Sequence, residues 1–115
     1  MKPLKTMASL LAVAMLLAEA APALADCYKD IGCTASNRFR TSALRRLNCA
    51  ALASIRNTIL FENGYCFRQS NAIEMFGNAN CKVNDITKLP LNEAERTNVR
   101  TINKLEAEKG CDISP

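Results

Sequence analysis

Histidine and tryptophan do not occur in this sequence, and aromatic residues of any kind are few. The missing histidine removes the usual general base and the most common nitrogen ligand for metals. A serine or cysteine nucleophile would have to borrow a lysine or a carboxylate as its base, and no pairing in the chain points to one. The scarcity of aromatics removes the platforms on which single-stranded nucleic acid stacks. Carboxylates are present but do not converge. Glu93 with Glu95, and Glu106 with Glu108, are two residues apart and so face different sides of a helix. Cysteines never recur as C-x-x-C, the spacing of disulfide oxidoreductases and of many zinc sites. No catalytic residue, cofactor, metal or nucleic-acid partner is therefore expected.

The N-terminus has the three parts of an export signal. Lys2 and Lys5 supply a positive start, Met7 to Ala18 is apolar but for Ser9, and Ala23-Leu24-Ala25 is a small-x-small cleavage site. The apolar run is shorter than the roughly 20 residues of a membrane span, and no later segment replaces it. Asp26, standing before Cys27, argues against lipoprotein processing, which wants a small residue there. The expected organisation is a signal peptide over 1–25, an irregular arm over 26–40 and a helical domain over 41–115. Cleavage would leave 13 basic and 10 acidic residues, a charge of +3, in a single domain too small to be robust without reinforcement. Six cysteines at 27, 33, 49, 66, 81 and 111 follow the signal. An even set in a small exported domain reads as a disulfide framework, and the destination as periplasm or exterior.

From Thr41 the apolar residues recur at helical spacing: Leu44, Leu47, Ala51, Leu52, Ile55 and Ile59 share one face. Thr41 or Ser42 is the expected cap and Asn63-Gly64 the stop. A short helix is expected over Asn71 to Phe76, with Asn71 and Glu74 at capping-box spacing and Gly77 after it. A last helix begins at Asn92 with Glu95 as box partner, buries Val99, Ile102 and Leu105, and ends at Gly110. Nothing alternates with period two. The fold class predicted is all-α: two long antiparallel helices, one short helix and the irregular N-terminal arm.

Six cysteines allow fifteen pairings, and helix placement narrows them. Cys66 and Cys81 bracket the short helix, and joining them would stabilise by roughly 3 kcal/mol. Joining Cys49 to Cys111 would clamp the long helices antiparallel, for nearer 4 kcal/mol. Cys27 and Cys33 then close the arm locally. The Cys49–Cys111 register sets Arg56 beside the turn carrying Ile102 to Glu106, so an Arg56–Glu106 ion pair is expected to orient the two helices. Arg56, Asn57, Asn63, Tyr65, Asn98 and Glu106 form a polar set that either makes internal bonds or lines a cleft.

The stretch Arg56 to Phe67, with Asn78-Ala79-Asn80-Cys81, Glu95-Arg96-Thr97-Asn98 and Glu106 through Cys111, resembles the YARHG domain of bacterial envelope and secreted proteins. The arm, Cys27-Tyr28 through Ile31-Gly32-Cys33, is similar to that of small exported alphaproteobacterial members. At the five positions that name the family this chain has Leu60-Phe61-Glu62-Asn63-Gly64 and keeps only the glycine. The resemblance implies a small extracytoplasmic domain and carries no catalytic residue.

Arg38, Arg40, Arg45 and Arg46 place four arginines in nine residues around the expected start of the first helix. Cations there oppose the helix dipole, which makes an anionic partner conceivable. Arg45 and Arg46 point about 100° apart, so the four cannot form one flat patch. With the Asn63-Gly64-Tyr65 corner they are the candidate partner-binding residues. The function expected is a non-enzymatic binding or structural module of the bacterial envelope, its partner a protein or an anionic envelope component. The alternative is a small secreted inhibitor or effector acting on a foreign protein.

Overall fold

The computed structural model describes residues 27–115, so the signal peptide expected at 1–25 lies outside the described residues. The arm is not irregular. Strands β1 (Cys27–Tyr28) and β2 (Gly32–Cys33) pair antiparallel, with Cys27 opposite Cys33 and Tyr28 opposite Gly32. All-α therefore understates the fold, which is mostly helical with one small hairpin. Two-residue strands are too short to show period two. What makes the hairpin is the Cys27–Cys33 disulfide and a turn closed by Ile31 N–H on the Tyr28 carbonyl at 3.0 Å. Gly32 has φ 131°, and a Cβ there would sit 3.0 Å from that of Asn37. Glycine alone fits both demands.

The helix expected from Thr41 is broken in two. Helix α1 (Thr41–Leu44) stops after one turn, and α2 (Cys49–Glu62) starts anew. Asn48 is the reason: its side chain accepts the Ala51 N–H at 2.8 Å while its own backbone is extended. Cys49 thus opens α2 instead of lying two turns within a helix. The cap expected from Thr41 or Ser42 is not formed, since Arg40 occupies that position with no side-chain bond.

Helix α3 (Ser70–Phe76) lies close to its expected place, but Gln69 precedes it with no side-chain cap, so the Asn71–Glu74 box is not what starts it. The following loop contains a single 3-10 turn, Ile86–Lys88, capped by Asp85. Helix α4 (Glu93–Lys109) begins with the expected capping box between Asn92 and Glu95 and ends at Gly110 in the left-handed conformation.

Helices α2 and α4 form the main packed pair. They run antiparallel, because Cys49 at the start of α2 is joined to Cys111 just beyond α4, while Asn63 at the end of α2 bonds Glu95 at the start of α4. Leu52, Ile55 and Ile59 share their core with Val99, Ile102 and Leu105, and Leu44, Phe39 and Leu89 close its sides. Each such fully buried side chain contributes about 1.5–3 kcal/mol. On α4 the buried residues keep a one-sided three-and-four spacing. On α2 Ile55 to Leu60 are all buried, because α3 and the following loop cover the flanks that α4 leaves open.

Candidate functional site

The polar set singled out in the sequence divides into separate internal networks and does not line one cleft. Arg56, 2% exposed, donates through Nη1 to both carboxylate oxygens of Glu106 at 2.7 and 2.8 Å, and through Nε to Asn57 Oδ1 at 3.2 Å. Burial pushes the Glu106 carboxyl above its ordinary range, while the Arg56 charge and its hydrogen bonds work the other way. Asn98, also buried, serves the arm: Oδ1 accepts the Phe39 N–H at 2.8 Å and Nδ2 donates to the Asn37 carbonyl at 2.7 Å. Asn92 adds a bond to the Ala35 carbonyl at 3.0 Å, and the Thr34 hydroxyl donates to Glu62 at 2.9 Å. These bonds lay the arm over the start of α4 and the end of α2. Asn78 makes a similar clamp, with Oδ1 and Nδ2 holding the Phe67 N–H and carbonyl at 2.9 and 3.0 Å.

In the Asn63-Gly64-Tyr65 corner only Tyr65 is buried, while Asn63 and Gly64 are half-buried and line an open recess of about 400 Å³ with Glu62, Lys82 and Pro90. Asn63 Nδ2 donates to the Ile59 carbonyl and to Glu95 at 2.8 and 3.2 Å. Gly64, at φ 86°, offers its carbonyl to the Lys82 and Val83 N–H groups at 2.7 and 2.9 Å. Tyr65 is 4% exposed, with its ring edge-on to Phe67 at 5.2 Å. The backbone of the corner pairs with the strand-like segment that the Cys66–Cys81 disulfide holds against it. The aromatic residue that does surface here is Phe61, 46% exposed and 5.5 Å from the Phe76 ring.

Residues 28–107 match the YARHG domain, from the hairpin to the last turn of α4. The chain belongs to the YARHG domain family. No curated protein and no solved structure shows a match. Cys27 and Cys111 flank the matched span of this YARHG domain, so two of its disulfides tie an edge residue back into the interior.

On this domain the four arginines separate into two kinds. Arg38 reaches Glu93 at 3.7 Å and Arg45 reaches Glu108 at 3.3 Å, both exposed pairs of the sort that contribute about 0–1 kcal/mol. Arg45 also stands at the C-terminal end of α1, where a cation suits the dipole, so the opposition expected at a helix start does not arise for it. Its carbonyl accepts from Lys109 Nζ at 3.0 Å. Arg40 and Arg46 are exposed and have no side-chain hydrogen bond or ion pair among the described residues. They line one open recess of about 230 Å³ together with Asp30, Ser42 and Ala43. Arg46 donates its N–H to the Ala43 carbonyl at 3.2 Å, and its three- and four-residue spacing from Ala43 and Ser42 sets it beside them.

A second depression, of about 160 Å³, lies between Ala50, Ala53 and Ser54 of α2 and Ala72, Met75 and Phe76 of α3. Met75 is 69% exposed on its rim. Among the described residues no group of His, Cys, Asp or Glu is arranged to hold a metal, and no helix is long and apolar enough to cross a membrane.

Proposed function

We propose that this YARHG domain is a non-enzymatic binding module, exported to the periplasm or the exterior as a small member of the alphaproteobacterial kind. It engages an anionic envelope component, or an acidic face of an envelope protein, through Arg40 and Arg46. The observation that carries this reading is the contrast within the arginine cluster. Arg38 and Arg45 have carboxylate partners on α4, whereas Arg40 and Arg46 share a recess with no internal partner. Export is supported by the signal-like N-terminus and by three disulfides, which persist in oxidising compartments. The test is retention of purified protein on extracts of the envelope. Retention that weakens with salt and is lost in the R40Q/R46Q double variant is the expected result. Equal retention of both proteins overturns the reading.

The exposed Met75 and Phe61, with the uncharged depression between α2 and α3, favour a second reading: a secreted inhibitor or effector docking a foreign protein. Capture of a partner from foreign-cell lysate that survives R40Q/R46Q but is lost in M75E would select it over the first.

A further inference from the structure

The recess holds a carboxylate as well as two guanidinium groups, and this mixture restricts what it can bind. Asp30 stands at φ 66° in the hairpin turn, in the left-handed region that aspartate tolerates better than most residues. The turn is held by the β1–β2 ladder and the Cys27–Cys33 disulfide, so the Asp30 backbone is fixed before any ligand arrives. No ion pair within 4 Å joins Asp30 to Arg40 or Arg46, although all three line the same recess. A simple anion would satisfy the arginines but be repelled by Asp30. A simple cation would meet the reverse.

We infer that the recess is a site for an aminoalkyl phosphate, a phosphate group carrying a primary amine on a short chain, of which phosphoethanolamine is the smallest common form. This rests on the reading that Arg40 and Arg46 bind an anion, and it adds the role of Asp30. Two guanidinium forks against one carboxylate call for an anionic end of high charge with several acceptor oxygens. Phosphate provides three oxygens and about −1.5 to −2 charges as a monoester, where a carboxylate provides two oxygens and one charge. The Ser42 hydroxyl, which has no partner among the described residues, can donate to the same group. The amine end pairs with Asp30. It is a primary amine because Asp30 needs an N–H donor, and because no aromatic ring lines the recess to cage a quaternary ammonium. The volume of about 230 Å³ lies below the roughly 300–1,000 Å³ of pockets that enclose drug-sized ligands, so only a head group enters. The remainder stays in solvent.

The experiment is an amide-shift NMR titration of the full disulfide-bonded protein with O-phosphoethanolamine, inorganic phosphate and ethanolamine. Shifts localised to Asp30, Arg40, Ser42 and Arg46 are expected, with O-phosphoethanolamine about threefold to fivefold tighter than phosphate. D30N, which keeps a residue tolerant of positive φ, should erase that preference while leaving phosphate binding as strong or stronger. R40Q and R46Q should each weaken both ligands by about tenfold. A lipid headgroup is a phosphate diester with one charge and two free oxygens, so vesicles of phosphatidylethanolamine, against phosphatidylcholine, should be held more weakly than the soluble monoester, and tighter binding to them would name the lipid as the source. If D30N leaves the preference unchanged, or none exists in the wild type, the aminoalkyl phosphate assignment is overturned. The arginine reading stands in that case provided R40Q/R46Q still abolishes envelope retention.

Discussion

Arg56 and Glu106 are a buried pair whose removal by halves and whose removal together have opposite consequences. With Glu106 fully buried, R56M leaves a carboxylate in the interior without its cation, a change that costs about 3–5 kcal/mol at neutral pH. Replacing both partners, as in R56M/E106L, should restore stability to the wild-type level or above it. Urea unfolding with the disulfides intact measures both. The pH dependence follows from the same pair. Burial already raises Glu106, and R56M deletes the two influences that lower it. A raised carboxyl contributes stability that is full below the ordinary 4.5 and is lost as pH rises through the folded value. The deficit of R56M should therefore shrink on acidification. Asp112 has the opposite sign: bonds from Ser114 and Gln69 lower it, so its contribution is present above 3.8 and disappears as pH falls through the depressed value. D112N should accordingly match the wild type in acid and fall below it near neutrality. Arg56 and Glu106 were legible in the sequence because a cysteine pairing fixed their register. Asn98 and Asn78 were not, because their partners are backbone groups, which every residue possesses and no sequence pattern marks.

Helix boundaries depend on single side chains in this fold. N48A removes the bond that starts α2 and should cost about 1 kcal/mol. N98A should cost more, about 2–4 kcal/mol, since it orphans the Phe39 N–H and the Asn37 carbonyl together. The two variants also differ in where they act. Hydrogen exchange should quicken at the Phe39 amide in N98A and at the first turn of α2 in N48A. Helix α4 was readable to its ends because its capping box, apolar stripe and glycine agree. The break after α1 was hidden because Leu44, Leu47 and Ala51 continue the helical spacing across it, while the signal that interrupts it is one asparagine. The hairpin was hidden by brevity, and with it the part of Asp30.

At the scale of the molecule, three disulfides close loops of very different length. The separations are 6, 15 and 62 residues for Cys27–Cys33, Cys66–Cys81 and Cys49–Cys111. Chain-entropy arguments assign them about 2, 3 and 4 kcal/mol in that order. Thermal unfolding of the three double-alanine variants should rank them so, with C49A/C111A the least stable. The bridges do not interleave: one stands apart and one is nested inside the longest. That arrangement decides how the protein bears load. Tension applied at residues 27 and 115 passes through Cys27–Cys33, along the arm and α1, across Cys49–Cys111 and out through the last residues, bypassing nearly all of α2, α3 and α4. The oxidised chain can then lengthen to only about 80 Å, against roughly 300 Å once reduced, at 3.3–3.6 Å per residue. The segment that gives way is the one carrying Arg40 and Arg46, so a pull on the ends would dismantle the recess while the helical body stayed folded.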